Sequence, residues 1–188
     1  EPGPVPTVFA KLPGAITRPY GEVRHPGGAV QLDYEGEVGL VVGQRCHRVT
    51  PAEALEHVAG LVIVNDLTDR ALARPETLLL AKSYHGFAPM GPWLTTFDEA
   101  PAPAGLTIRT WVNGELRQEG CAADMVHDFG AIVALLSASI VLEPGDVIIT
   151  GSPAGSGAGF SPPRWLQPGD LVRIEVTGLG TIEQRITA

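Results

Sequence analysis

Cysteine occurs only twice in 188 residues, as Cys46 and Cys121. Two cysteines make no disulfide framework and no Cys-x-x-Cys metal motif, and a reducing, cytoplasmic setting is the simpler expectation. Lysine is equally scarce. Lys11 and Lys82 are its only occurrences among 13 basic residues, set against 21 acidic ones and a net charge of −8. There is no basic run, which argues against nucleic acid or an anionic membrane as a partner. Long apolar runs are missing as well: Ala131–Leu142 is interrupted by Ser137 and Ser139 and is too short to span a bilayer. The first residues show no signal-peptide pattern. No Gly-Lys-Ser/Thr completes a P-loop, no Gly-x-Ser-x-Gly elbow marks a hydrolase triad, and the five histidines lack zinc spacing.

What is abundant is turn chemistry. The chain holds 23 glycines and 17 prolines, which cost about 1 and 3 kcal/mol respectively inside a helix. That excludes a long-helix bundle and predicts many short elements. With 44% hydrophobic and 18% charged residues, the composition is that of a globular domain. Residues 1–31, punctuated by proline, read as irregular, with a short extended piece at Phe9-Ala10-Lys11. Residues 32–43 read as one strand, with Leu32, Tyr34, Val38, Leu40 and Val42 on one face and Asp33, Glu35, Glu37 and Val41 on the other. Thr50-Pro51-Ala52-Glu53 is a helix start with a capping box, and the helix is expected to run to about Val58 and stop at Gly60. Leu61–Asn65 is an apolar strand, 69–81 is partly helical, and Trp93–Thr96 is a short strand. Asn113-Gly114 between extended runs predicts a tight hairpin. Helical spacing of Met125, Phe129, Ile132, Val133, Leu136 and Ile140 predicts a helix over 124–139. Two Pro-Gly-Asp turns, at 144–146 and 168–170, each precede a strand, and a last strand covers 181–186. The expected fold is a single α+β domain over 1–188, mainly β, with two short helices.

Several residues could carry chemistry. Glu35 and Glu37 stand at i and i+2 on a strand, so both carboxylates project to one side; Gly36 between them would let another segment approach the opposite face. A solvated strand face is the alternative. Asp66 follows the apolar strand, where it is either a turn residue or the third oxygen ligand of a site suited to Mg²⁺ or Mn²⁺, with Ca²⁺ as a substitute. Asp33 shares the face of the two glutamates and stays open as a ligand. Lys82 sits among apolar residues, as a site cation or as a snorkelling surface lysine. Arg70, four residues after Asp66, is a site cation or half of a surface ion pair. Thr150-Gly151-Ser152-Pro153 follows a strand, and its backbone N–H groups could cradle an anion; an ordinary turn is the alternative. His25 and His85 are weak loop candidates.

Taken together these pieces resemble the fumarylacetoacetate hydrolase family. The matching stretches are Val8-Phe-Ala-Lys11, Asp33-Tyr-Glu-Gly-Glu-Val38, Val64-Asn-Asp-Leu-Thr-Asp-Arg70, Ala81-Lys-Ser-Tyr84, Pro89-Met-Gly-Pro-Trp93, Val112-Asn-Gly-Glu115, Leu142-Glu-Pro-Gly-Asp146 and Thr150-Gly-Ser-Pro153. The resemblance implies a mixed β-roll or sandwich in a homodimer. It implies a metal held by Glu35, Glu37 and Asp66, substrate oxygens met by Lys82 and Arg70, and a substrate carboxylate met at Thr150 and Gly151. The implied activity is C–C bond hydrolysis of a small 2-oxo or diketo acid through a metal-chelated enolate. Isomerisation or decarboxylation of 2-hydroxydienedioates in aromatic catabolism is the alternative, and a non-catalytic domain binding metal or a small acid is another. Thr68-Asp69-Arg70-Ala71 stands where members carry Ser-Ala-Arg-Asp, Ala73 where a glutamine is frequent, and Ser152 where members have a second threonine. Members also carry a His and a Glu on a lid just upstream of the Phe-x-Lys stretch, and residues 1–8 are expected to be the tail of that segment.

Overall fold

The structure, a computed structural model, describes residues 5–188. The N-terminal part of the expected lid tail, residues 1–4, lies outside the described residues. Residues 6–12 carry neither helix nor strand. The elements that follow are β1 (Ile16–Thr17), β2 (Tyr20–Arg24), β3 (Leu32–Asp33), β4 (Gly36–Val42), α1 (Pro51–Ala54), β5 (Val58–Asn65), β6 (Thr68–Asp69) and α2 (Leu78–Lys82). They continue with β7 (Ala88–Thr96), β8 (Thr107–Val112), β9 (Glu115–Cys121), α3 (Phe129–Ser137), β10 (Val147–Ile149), β11 (Leu171–Val176) and β12 (Gly180–Thr187).

Most strands fall into two five-stranded sheets, ordered β1-β7-β5-β4-β10 and β2-β12-β11-β8-β9, and β3 pairs with β6 as a small third ladder. One buried core serves both sheets: Val38, Leu40, Leu61 and Ile63 of the first join Ile108, Val172, Ile174 and Ile182 of the second. This is a mainly β, α+β fold of the expected roll or sandwich kind, with short helices. No helix among the described residues is long and apolar enough to cross a membrane.

The Asn-Gly hairpin forms as its chemistry requires, with φ of 52° at Asn113 and 81° at Gly114. At Thr50 the backbone N–H donates to the Glu53 carboxylate at 3.1 Å, one half of the capping box. Five expectations change. No extended strand forms at Phe9-Ala10-Lys11. The helix begun at Pro51 ends at Ala54, and after a single 3-10 turn Val58 already pairs with Val42 in β5. The stretch before residue 31 contains two strands, β1 parallel to β7 and β2 parallel to β12; its prolines flank the strands, which lie at sheet edges where a missing N–H is tolerated. The 32–43 strand is interrupted at Tyr34-Glu35. The 124–139 helix starts at Phe129, because Asp128 caps it by accepting from Ala131 N at 2.7 Å, which leaves Met125 and Ile140 outside it.

At Gly36 the first sheet lies close against the second. A Cβ there would press into Thr110 Oγ1 and stand 3.2 Å from Ile174 Cγ2. Gly36→Ala is therefore expected to lower unfolding free energy by about 1–3 kcal/mol through overpacking. Gly14→Ala, where nothing lies within 4 Å, should stay within about 0.5 kcal/mol of the parent. Urea unfolding midpoints of the two variants make the comparison, and equal midpoints would contradict this packing.

Candidate active site

The interruption at Tyr34-Glu35 builds the site. Backbone amides that leave a ladder inside a protein must find other partners, and here side chains supply them. Tyr34 N donates to Asp33 Oδ1 at 2.9 Å, Glu35 N to Asn65 Oδ1 at 3.3 Å and Gly36 N to Gln118 Oε1 at 3.1 Å. Asn65 is itself held, its Nδ2 donating to Gln184 Oε1 at 3.0 Å, and Gln184 Nε2 donates to Pro19 O at 2.7 Å. Asp66 N then donates to Glu35 O at 2.8 Å. β4 and β5 pair with Gly36 opposite Asn65 and Glu37 opposite Val64, so the ends of the two strands bring Glu35, Glu37 and Asp66 to one place.

Ligand-capable oxygens of these three residues lie within 4.8 Å of one another. Around them stand three cations. Lys82 Nζ donates to Asp66 Oδ2 at 2.5 Å and also to Glu35 Oε2. Lys11 Nζ donates to Asp66 Oδ1 at 2.6 Å and to Leu67 O at 3.2 Å. Arg70 reaches Glu35 Oε1 through Nη2 at 2.7 Å and Asp33 Oδ2 through Nε at 2.8 Å. The Phe9 ring lies with its centroid 4.8 Å from Lys82 Nζ, a cation–π contact on the buried side chain. Glu37 accepts from Gly151 N at 2.5 Å, and Thr68 Oγ1 donates to Glu35 Oε2 at 3.2 Å.

These partners divide the acids. Burial first, then the charges of Asp66 and Glu35, push the Glu37 carboxyl up to about 8. Burial also opposes the charge on Glu35, but Lys82 and Arg70 outweigh it and hold that carboxyl below the ordinary range. Lys82 is desolvated too, yet Asp66 and Glu35 raise its pKa. At Lys11 burial outweighs the pull of Asp66 and lowers the pKa. A set of hard carboxylate oxygens with one buried acid lacking a cationic partner of its own fits Mg²⁺, Mn²⁺ or Ca²⁺; Glu35, Glu37 and Asp66 are the residues that could hold it.

The structure brings Glu35, Glu37, Asp66, Arg70 and Lys82 into one cluster and sets Thr150-Gly151 beside Glu37. The Thr150 hydroxyl donates to Val38 O at 2.9 Å, and the Gly151 N–H is engaged by Glu37, so both hydrogens are committed within the protein. Asp33, open as a ligand from its strand face, turns instead to Arg70 and to the 157–158 backbone. His25 accepts from Gly27 N at 3.0 Å through Nδ1, and among the described residues no histidine joins the carboxylate trio. Sequence reasoning assigned no role to Lys11, Thr68 or Gln118. For Lys11 the signal was its scarcity: both lysines of the chain converge on Asp66.

A family model described as fumarylacetoacetate (FAA) hydrolase C-terminal matches residues 1–187. An uncharacterized protein of Staphylococcus aureus is 41% identical over 177 residues, covering 93% of this chain and 59% of that protein. The chain thus spans about three fifths of the length of the curated relatives it matches. A solved fumarylacetoacetate hydrolase from psychrophilic Exiguobacterium antarcticum is similar at 40% identity and a TM-score of 0.92, over 96% of this chain and 65% of that one. A solved 2-hydroxyhepta-2,4-diene-1,7-dioate isomerase from Mycobacterium marinum shows 36% identity and a TM-score of 0.88, over 98% and 70%.

Because Glu37 must lose its proton to ligate a cation, the sign of the pH dependence is determined. Below about 8, an Mg²⁺ ion taken up by the trio would displace a proton, and its affinity is expected to rise about tenfold per pH unit before levelling off. Calorimetric titrations from pH 6 to 9, in buffers of different ionisation enthalpy, read both affinity and proton release. An affinity flat from pH 6 to 8 would rule this out.

Proposed function

The chain belongs to the fumarylacetoacetate hydrolase family, and on that premise we propose that it is the core of a divalent-metal-dependent enzyme hydrolysing a C–C bond in a small 2-oxo or diketo acid. The convergence of Glu35, Glu37 and Asp66 within 4.8 Å, ringed by three cations, carries the reading. A divalent ion held by the trio would supply Lewis acidity toward the oxygens of a 2-oxo acid.

The remaining work falls to side chains. In C–C hydrolysis water adds to the carbonyl beyond the scissile bond; the bond then breaks and its electron pair passes to the 2-oxo fragment as an enolate. An ammonium group has three donors; Lys82 spends two on Glu35 and Asp66, and the third can meet the enolate oxygen as charge develops. Arg70 spends two of its five N–H donors on Asp33 and Glu35, leaving an edge of its planar fork for a carboxylate. The charge balance agrees. Asp33, Glu35, Glu37 and Asp66 face Lys11, Lys82 and Arg70. Fully ionised, the group is one charge negative; a divalent cation makes it one charge positive, which suits an anionic substrate.

A second reading, isomerisation of a 2-hydroxydienedioate, is favoured by the neighbour named as such an isomerase. It passes through the same kind of enolate, so the two readings share their residues, and product analysis separates them.

Oxalate, which imitates the chelating head of a 2-oxo acid, is expected to stabilise the protein in the presence of Mg²⁺ by about 2.7 kcal/mol at a hundredfold excess over Kd. Glu37→Gln should abolish that shift. Lys82→Met should keep the Mg²⁺ binding and lower turnover of acylpyruvates by about 100–1,000-fold. A melting temperature indifferent to oxalate with Mg²⁺ present would overturn the assignment.

A further inference from the structure

Asp33 is fully buried, and its carboxylate accepts four hydrogen bonds. Oδ1 takes Tyr34 N at 2.9 Å and Gly157 N at 2.6 Å; Oδ2 takes Arg70 Nε at 2.8 Å and Ala158 N at 3.2 Å. We infer that Asp33 is a positioning residue, which sets the Arg70 fork for a substrate carboxylate and locks it to the 151–158 loop. The Arg70 part rests on the function proposed above; the loop part stands on geometry alone.

The small ladder of β3 and β6 explains the placement. Asp33 pairs with Thr68 and Leu32 with Asp69, and Arg70 N donates to Gln31 O at 2.9 Å, so Arg70 emerges beside Asp33. Its guanidinium is then gripped from two sides, by Asp33 and by Glu35, and its remaining donors keep one orientation. An arginine held by Glu35 alone could pivot about that single contact.

The loop is tied to the same segment along its length. Gly151 N meets Glu37, Gln118 Nε2 donates to Pro153 O at 2.8 Å, Tyr34 OH donates to Gly155 O at 2.9 Å, and Gly157 and Ala158 close on Asp33. Gly157 permits this approach, because a Cβ there would lie 2.8 Å from Asp33 Oδ1 and would overlap Arg164 O. Residues 33–37 therefore hold the loop at both ends, Glu37 at one and Asp33 at the other.

Asp33→Asn tests the inference with a sign that charge alone cannot imitate. Removing a negative charge beside Arg70 should, by electrostatics, tighten the binding of an anion. Positioning predicts the reverse, because the new amide N–H₂ meets Arg70 Nε or the loop amides donor to donor. With Mg²⁺ present, oxalate affinity is expected to fall about tenfold, the scale of one hydrogen bond to a charged group, while Mg²⁺ affinity is kept. In an Arg70→Met background the same change should do nothing further to oxalate binding. Hydrogen exchange at the Gly157 and Ala158 amides, read without metal or ligand, should quicken in Asp33→Asn. Should that variant not fold, Arg70→Lys keeps the charge but cannot bridge Asp33 and Glu35, and the same tenfold loss is expected.

Unchanged or tighter oxalate binding in Asp33→Asn, an equal loss in the Arg70→Met background, or full affinity in Arg70→Lys would overturn the positioning of Arg70. Unaltered exchange at 157–158 would overturn the anchoring of the loop. A parent protein that binds no oxalate with Mg²⁺ would sink the proposed function and the Arg70 role with it, while the exchange measurement still decides the loop.

Discussion

Four carboxyl groups, those of Asp33, Glu35, Glu37 and Asp66, meet at the ends of β3, β4 and β5, and all but Glu35 are buried. Two like charges 4 Å apart repel by about 4 kcal/mol at the effective dielectric of a protein surface, and more where water is scarce. The neighbourhood is shaped by that repulsion. Lys11 and Lys82 divide the two oxygens of Asp66 between them, and Arg70 spans Asp33 and Glu35. Glu37 alone receives a backbone N–H in place of a cation, and it is the acid that holds its proton to about 8. A group left so poorly compensated in a pocket of compensated ones is where a further positive charge gains most.

Such a cluster needs a rigid frame, and the frame here is largely made of side-chain amides. Asn65, Gln118 and Gln184 are buried, and each is paired through both its oxygen and its nitrogen. They accept from or support the amides that the broken strand releases, so the interruption at Tyr34-Glu35 carries little unsatisfied polarity. Gln118 reaches its position by a register shift in the β8–β9 hairpin, between Thr110 and Trp111; a bulge of this kind turns a side chain toward a place that regular pairing would not reach. The same residue joins the glutamate strand to Pro153, so the two halves of the site share one support.

From the residues themselves, what could be read was local chemistry; the meeting of Glu35, Glu37, Asp66, Arg70 and Lys82 came from the resemblance. The Asn113-Gly114 turn, the Thr50–Glu53 cap and the i, i+2 projection of Glu35 and Glu37 each depend on a few adjacent residues, and each formed. What could not be read depends on partners far along the chain. β1 and β2 are strands because Ala88-Pro89 and residues 183–187 lie beside them, and nothing near residue 20 announces that. The break at Tyr34-Glu35 goes with distant side chains, Asn65 and Gln118, which take the amides of Glu35 and Gly36. Asp33 looked equivalent to Glu35 and Glu37 because strand period two puts all three on one face; the interruption between them ends that equivalence and hands Asp33 to Arg70. Lys11 sits in a stretch with no secondary structure, where no periodicity points to a role; the count of lysines and the Val8-Phe-Ala-Lys11 match were the only hints.

In the proposed chemistry the two kinds of cation serve different ends. Lys82 places a compact charge between Glu35 and Asp66, where one atom must answer to two acids and keep a donor to spare. Arg70 answers to two acids as well, but through separate nitrogens of a rigid plane, so its spare donors keep a fixed direction. A compact ammonium suits a single oxygen on which charge develops, whereas a planar fork matches both oxygens of a carboxylate. In the proposed chemistry these are the two tasks, stabilising a charge that appears and holding one that persists. On the positioning inferred above, that division depends on Asp33: without its grip, Arg70 keeps only its contact with Glu35, and its fork loses its fixed direction.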